Sequence, residues 1–119
     1  MATASAGDEI VEIRTTFADR AAARACAGRL VAARLAACGQ VDGPISSTYR
    51  WEGRIETAEE WRCTCKTTAA RSAACVDAIV AEHPYANPEV LVVGVAAAPA
   101  YAAWVRGAVV AADDETAAG

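Results

Sequence analysis

Histidine occurs once in the chain, as His83 in the run Glu82-His83-Pro84-Tyr85. Its imidazole has two chemistries open to it: a packed ring bonded to backbone, or a metal ligand, since imidazole suits copper in either oxidation state. Glu82 would supply an adjoining carboxylate. Cys38, which closes the run Leu35-Ala36-Ala37-Cys38, is the soft donor best matched to copper if it ionises, and otherwise a small residue at a corner of the fold. Cys63 and Cys65 stand closer together than the pair of a zinc knuckle or a thioredoxin-type motif. With Cys26 and Cys75 they read as buried, reduced thiols. Copper is thus the candidate metal, with no metal required for folding.

A second constellation joins Tyr49, Trp51, Glu60, Lys66 and Tyr85. Lys66 is the sole lysine among eleven basic residues. A lone ammonium beside aromatic rings and a carboxylate suits a small anionic ligand. The competing reading is an interface network in which Lys66 pairs with Glu60.

Other chemistries lack their residues. One histidine and no lysine-activated serine leave no nucleophilic triad, and no glycine-rich phosphate loop is present. Thr15-Thr16-Phe17-Ala18-Asp19 offers no arginine to cradle a phosphate as an acylphosphatase requires. The expectation is a binding protein rather than an enzyme. Net charge is −4, but Asp8, Asp113, Asp114 and Glu115 lie in the tails, so the body of the chain is balanced and its arginines are scattered. Nucleic acid is not an expected partner.

At 119 residues the chain is long enough for one core, and 55% hydrophobic content argues against disorder. Alanine makes up about a quarter of the residues, so that core is tight and built from small side chains. The start lacks a basic segment followed by an apolar one, and no long apolar run occurs, so the expectation is a cytoplasmic protein with no membrane partner. Tails are expected over 1–8 and 113–119, with one domain over 9–112.

The elements that must position these residues follow from periodicity. Ile10, Val11, Ile13 and Thr15 mark a strand over Glu9 to Phe17. Ala23, Cys26, Ala27, Leu30 and Val31 mark an amphipathic helix ending near Cys38-Gly39. Ile45, Ser47, Tyr49 and Trp51 alternate, with a bulge or bend expected near Pro44 and a turn at Glu52-Gly53 leading into Ile55 to Thr67: a long β-hairpin. Thr67-Thr68 caps a helix carrying Ser72, Cys75, Val76 and Ile79, which His83-Pro84 stops. Glu89 to Val95 reads as a central strand. Pro99 opens a helix whose stripe is Tyr101, Trp104, Val105, Ala108 and Val109. Strand, helix, strand, strand, helix, strand, helix is an α+β order that suggests a ferredoxin-like split βαβ sandwich. One sheet face, bearing Arg62 and Thr64, would be left uncovered and would drive oligomerisation.

Three stretches in this order, Arg34-Leu35-Ala36-Ala37-Cys38, Tyr49-Arg50-Trp51-Glu52-Gly53 leading to Lys66-Thr67-Thr68, and His83-Pro84-Tyr85 with Pro88-Glu89, resemble the CutA family of divalent-cation tolerance proteins. The resemblance covers Glu9 to Val110. It implies a homotrimer in which the hairpins extend across neighbouring subunits, a structural likeness to PII-type signalling proteins, and a role in metal tolerance, copper above all. It also implies that Tyr49, Trp51, Glu60, Lys66 and Tyr85 border a cleft between subunits. In the family's proposed copper site a first-strand cysteine joins two histidines before the proline. Here those positions hold Thr15 or Thr16, and Glu82-His83. The rival reading is a PII-like regulatory module binding a small anionic ligand, and a third is a scaffold for an unknown protein partner.

Overall fold

Alternation in the first strand governs the layers. A computed structural model of the chain describes residues 8–110, so the two expected tails lie outside the described residues apart from Asp8. Strand β1 (Glu9–Phe17) sends Val11, Ile13 and Phe17 to one face, where they meet Ala23, Cys26 and Leu30 of helix α1 (Arg20–Ala32) and Cys75 and Ile79 of helix α2 (Ala69–Glu82). Ile10 points the other way, into a smaller core with Ala37 and with Ala102, Val105 and Val109 at helix α3 (Pro99–Ala108) and its C-cap. Strands β2 (Cys38–Trp51), β3 (Arg54–Thr67) and β4 (Val90–Ala96) complete an antiparallel sheet in the order β2-β3-β1-β4. This is the expected split βαβ sandwich with a C-terminal helix.

Helix α1 starts where the Asp19 carboxylate accepts the Ala22 N–H at 2.8 Å. It ends at Ala32, not near Cys38-Gly39. Arg34 takes φ 58°, and the N–H groups of Leu35 and Ala36 both donate to the Leu30 carbonyl at 2.9 and 3.2 Å. An arginine thus fills the left-handed position that sequence reasoning reserved for glycine. The chain must leave the helix there because Ala36 and Ala37 enter different cores. Cys38 is therefore the first residue of β2, opposite Lys66. Val31 falls outside the buried stripe of α1.

The β2–β3 hairpin turns at Glu52 (φ 50°) and Gly53 (φ 77°), the paired positive φ of a two-residue hairpin loop whose twist matches its strands. A register shift between Asp42 and Ile45 places the bulge at Gly43-Pro44, as expected from Pro44. Gly43 has φ 154°, and a Cβ there would lie 2.6 Å from Trp61 Cδ1. Beyond the bulge the two strands run on as an arm whose tip is open, with Trp51 52% and Ile55 69% exposed.

Three further expectations are corrected. Strand β4 pairs only with β1 and forms a sheet edge, leaving Leu91 48% and Val92 54% exposed. Its continuous apolar run lies on an edge strand that the rest of the described chain leaves partly uncovered. Helix α3 and its C-cap bury Val105 and Val109 of the expected stripe, with Ala108 packed against them, but Ala102 takes the place of Tyr101 and Trp104, because a small side chain permits close approach to Ile10 and Ala37. The face opposite α1 and α2 is not bare: α3 covers the Ile10 end. The remainder is charged, with Glu12–Arg14 at 2.6 Å and Arg62–Asp42 at 3.6 Å.

Two glycine substitutions test this geometry in opposite directions. Gly43→Ala should lower unfolding free energy by about 1–3 kcal/mol, because the new Cβ overpacks against Trp61. Gly28→Ala, inside α1 with nothing near its Cβ, should raise it by about 0.5–1 kcal/mol. Urea unfolding at one protomer concentration reads both, and a neutral Gly43→Ala would contradict the bulge geometry.

Candidate functional site

His83 caps α2 in extended conformation (φ −72°, ψ 135°) because Pro84 follows it and disfavours continuation of the helix. Its ring stacks on Phe17 with centroids 4.3 Å apart and planes 10° from parallel. The Tyr85 N–H donates to Nδ1 at 3.1 Å, and Nε2 lies 2.8 Å from the Thr16 carbonyl oxygen. A backbone N–H can only donate, so Nδ1 carries the lone pair and Nε2–H donates to Thr16. The ring is a neutral spacer between β1 and the loop after α2, with both nitrogens engaged. Burial pushes its pKa below 6.5, against the opposing pull of the Thr16 carbonyl and Glu60.

The three candidate metal donors do not meet within a protomer. Glu82 is exposed and borders a shallow depression between α1 and α2 with Arg29 and Ala33. Cys38 sits at the opposite end of the sheet, half-buried beside Lys66, with Sγ 3.6 Å from Tyr101 Oη. The contact with Cys38 and then burial push Tyr101 up to about 12. Among the described residues no three His, Cys, Asp or Glu side chains converge as a metal ion needs. Thr15 is buried with its hydroxyl unpartnered. The donor set therefore does not fit a copper centre confined to one protomer.

The remaining cysteines lie in the core. Cys63 Sγ is 3.7 Å from Cys65 Sγ, and Cys26 and Cys75 pack in the same cluster. The hydrogen bond with Cys63 and burial raise Cys26 far above its usual range. Burial, followed by the Cys26 thiol, pushes Cys75 up to about 11. At Cys63 the bond from Cys26 lowers the pKa, but contact with Cys65 and burial override it, to about 12. Protonated thiols in this setting pack as small apolar groups.

Four of the five expected cleft residues do converge. Tyr49 and Trp51 on β2, Glu60 on β3 and Tyr85 after α2 line a cleft of about 610 Å³ between the hairpin arm and the α2–β4 loop. Tyr85 Oη donates to Glu60 Oε2 at 3.0 Å, and burial followed by the Glu60 carboxylate pushes Tyr85 up to about 12. Lys66 is elsewhere. It lies six residues from Glu60 along β3, about 20 Å at strand rise. Its ammonium donates to Gln40 Oε1 and stands 4.0 Å from Glu12. Within the chain Lys66 pairs with Glu12 rather than with Glu60, because register sets Lys66 opposite Glu12 on β1. Thr16, Ser47, Asn87 and Glu89 also line the cleft. Ser47 was readable from its alternation with Tyr49 and Trp51; Asn87 and Glu89 arrive by a loop path that no periodicity encodes.

The His83 geometry fixes a pH dependence. Its folded pKa lies below the unfolded value, so the unfolded chain takes up the proton first as pH falls. The stability from neutral His83 is fully present above about 6.5 and declines below it. Unfolding free energy should fall from about pH 7 to pH 5 in the native chain and fall less in His83→Gln. Equal slopes in the two proteins would contradict a buried neutral ring.

Comparison with known proteins agrees with this architecture. The CutA1 divalent ion tolerance protein family matches residues 11–108. The divalent-cation tolerance protein CutA of Salmonella newport (strain SL254) is 37% identical over 87 residues, 73% of this chain and 76% of the relative. CutA from Xylella fastidiosa superposes with a TM-score of 0.82 at 35% identity, covering 85% of this chain and 98% of that one. CutA from Synechococcus elongatus gives 0.81 at 34% identity, covering 87% and 92%. Family match, identity and fold together show that this chain belongs to the CutA1 divalent ion tolerance protein family.

Proposed function

We propose that the chain is a cytoplasmic, non-catalytic homotrimer that contributes to tolerance of divalent cations. The observation that carries this reading is the family match across nearly all of the described fold, residues 11–108. Trimer formation is supported by surfaces that one protomer leaves incomplete: the arm beyond Gly43, with no helix beneath its exposed tip, and the apolar edge strand β4. A two-stranded ribbon is marginal alone in water, and an apolar edge invites pairing. The cytoplasmic placement is supported by five free cysteines, although a solved relative from Archaeoglobus fulgidus is described as periplasmic. No helix among the described residues is long and apolar enough to cross a membrane.

Copper is the metal we propose, with Cys38 as the donor open to it. It is the one cysteine of the five that is not buried, whereas His83 has both nitrogens occupied. A second reading, a PII-like regulatory module, is favoured by the cleft that gathers Tyr49, Trp51, Glu60 and Tyr85.

Native mass spectrometry with and without Cu(II), under reducing and non-reducing conditions, reports assembly and bound mass together. The expected result is a trimer whose copper uptake falls in Cys38→Ser and is unchanged in His83→Ala. Copper lost in His83→Ala alone would restore the imidazole as ligand, and a monomer would remove the trimer.

A further inference from the structure

Helices α1 and α2 stand apart from the surfaces proposed to meet neighbouring subunits. The arm belongs to β2 and β3 and the open apolar edge to β4, and neither helix forms part of them. Between α1 and α2 lies a depression of about 150 Å³. Its apolar lining is Cys26, Leu30, Leu35 and Ile79, and the small side chains of Ala33 and Ala78 leave it open. Arg29 and Glu82 complete the lining from exposed positions. These two charges are opposite in sign, yet neither forms an ion pair with the other or with any other described residue. Glu82 is also the last residue of α2, whose final turn carries no basic side chain, so the negative end of that helix is unbalanced.

We infer that this depression binds a free aliphatic α-amino acid of the size of leucine, with its side chain among Leu30, Leu35 and Ile79, its carboxylate on Arg29 and its ammonium on Glu82. The inference does not rest on the metal reading or on the cleft beside the arm. A guanidinium donates two parallel N–H bonds to a carboxylate, which fixes the orientation of the ligand as well as holding it. An ammonium has three donors, suited to the Glu82 carboxylate and favoured by the negative end of α2. The apolar lining gains from covering a branched aliphatic side chain. Its volume lies well below the range of about 300–1,000 Å³ that larger ligands occupy, which limits the occupant to one such side chain.

Other occupants use the site less fully. A neutral apolar molecule would leave both rim charges without partners. A leucine side chain presented by a protein would fill the floor, but its amide backbone has neither the carboxylate nor the ammonium. A metal ion would find Glu82 alone, because the Cys26 thiol is engaged with Cys63 and held protonated by that bond and by burial.

The test is an amide NMR titration of the full chain with leucine. N-acetyl-leucinamide keeps the side chain and removes both charges, and aspartate keeps both ends with a charged side chain. Leucine should shift the amides of Ala33 and Ala78 saturably, at about millimolar concentration. Its affinity should fall about three- to tenfold in Arg29→Gln and in Glu82→Gln, and be lost in Ala78→Leu, which fills the space. Arg20→Gln, on α1 but outside the depression, should leave it unchanged. The two rim variants alter exposed side chains, so they read the site even if Ala78→Leu disturbs packing. Equal binding of N-acetyl-leucinamide would overturn the inference in favour of an apolar anchor point for a protein partner. Equal binding of aspartate, leucine affinity indifferent to both rim variants, or no saturable shift in the folded protein would each overturn it outright.

Discussion

The His83 ring is the contact on which the geometry of this protein's cleft depends. It is stacked on Phe17 and bonded through one nitrogen to Thr16 and through the other to the Tyr85 backbone, so it ties the loop after α2 to the end of β1. That tie sets where Tyr85 begins. Tyr85 then reaches Glu60 on β3, and the cleft acquires a wall made from three elements distant in the chain. A neutral imidazole suits this post better than most side chains: it offers one donor and one acceptor on opposite sides of a flat, stackable ring. The same assignment explains why the only histidine of the chain is poorly placed to ligate a metal in this conformation.

A second constraint is the bulge at Gly43-Pro44. It lets the hairpin change register between Asp42 and Ile45, so that the proximal half of β2 follows the sheet while the distal half extends as an arm. The backbone at Gly43 passes so close to Trp61 that no side chain fits. The arm carries Tyr49 and Trp51 to the cleft at the expense of leaving its own tip exposed. Together with the apolar edge of β4, it leaves surfaces that the rest of the described chain does not cover.

Polar and apolar cysteine environments divide in the same spatial way. Four thiols sit between sheet and helices, and Cys38 alone lies at a surface with a phenol beside it. The cleft and Cys38 occupy opposite ends of the sheet, so chemistry at one does not draw on residues at the other.

Element order, the hairpin, its turn at Glu52-Gly53, the bulge near Pro44, the Thr68 cap and the stop at His83-Pro84 were all legible in the sequence, because each follows from local periodicity or backbone chemistry. Family membership was legible too, from three motifs in order. The end of α1, the edge position of β4 and the exposure of Tyr101 and Trp104 on α3 were not, because a left-handed arginine, strand order and helix rotation are decided by which surfaces find each other. The same division runs through the site. Composition singled out His83, Cys38, Glu82 and Lys66 as residues able to do chemistry, and alternation put Tyr49 and Trp51 on one face. Only tertiary structure decided that Lys66 stands about 20 Å from Glu60, that both nitrogens of His83 are spent on backbone, and that Glu89 joins the cleft. The physical reason is that residue type sets what a group can bond to, while register and packing set which partner it meets.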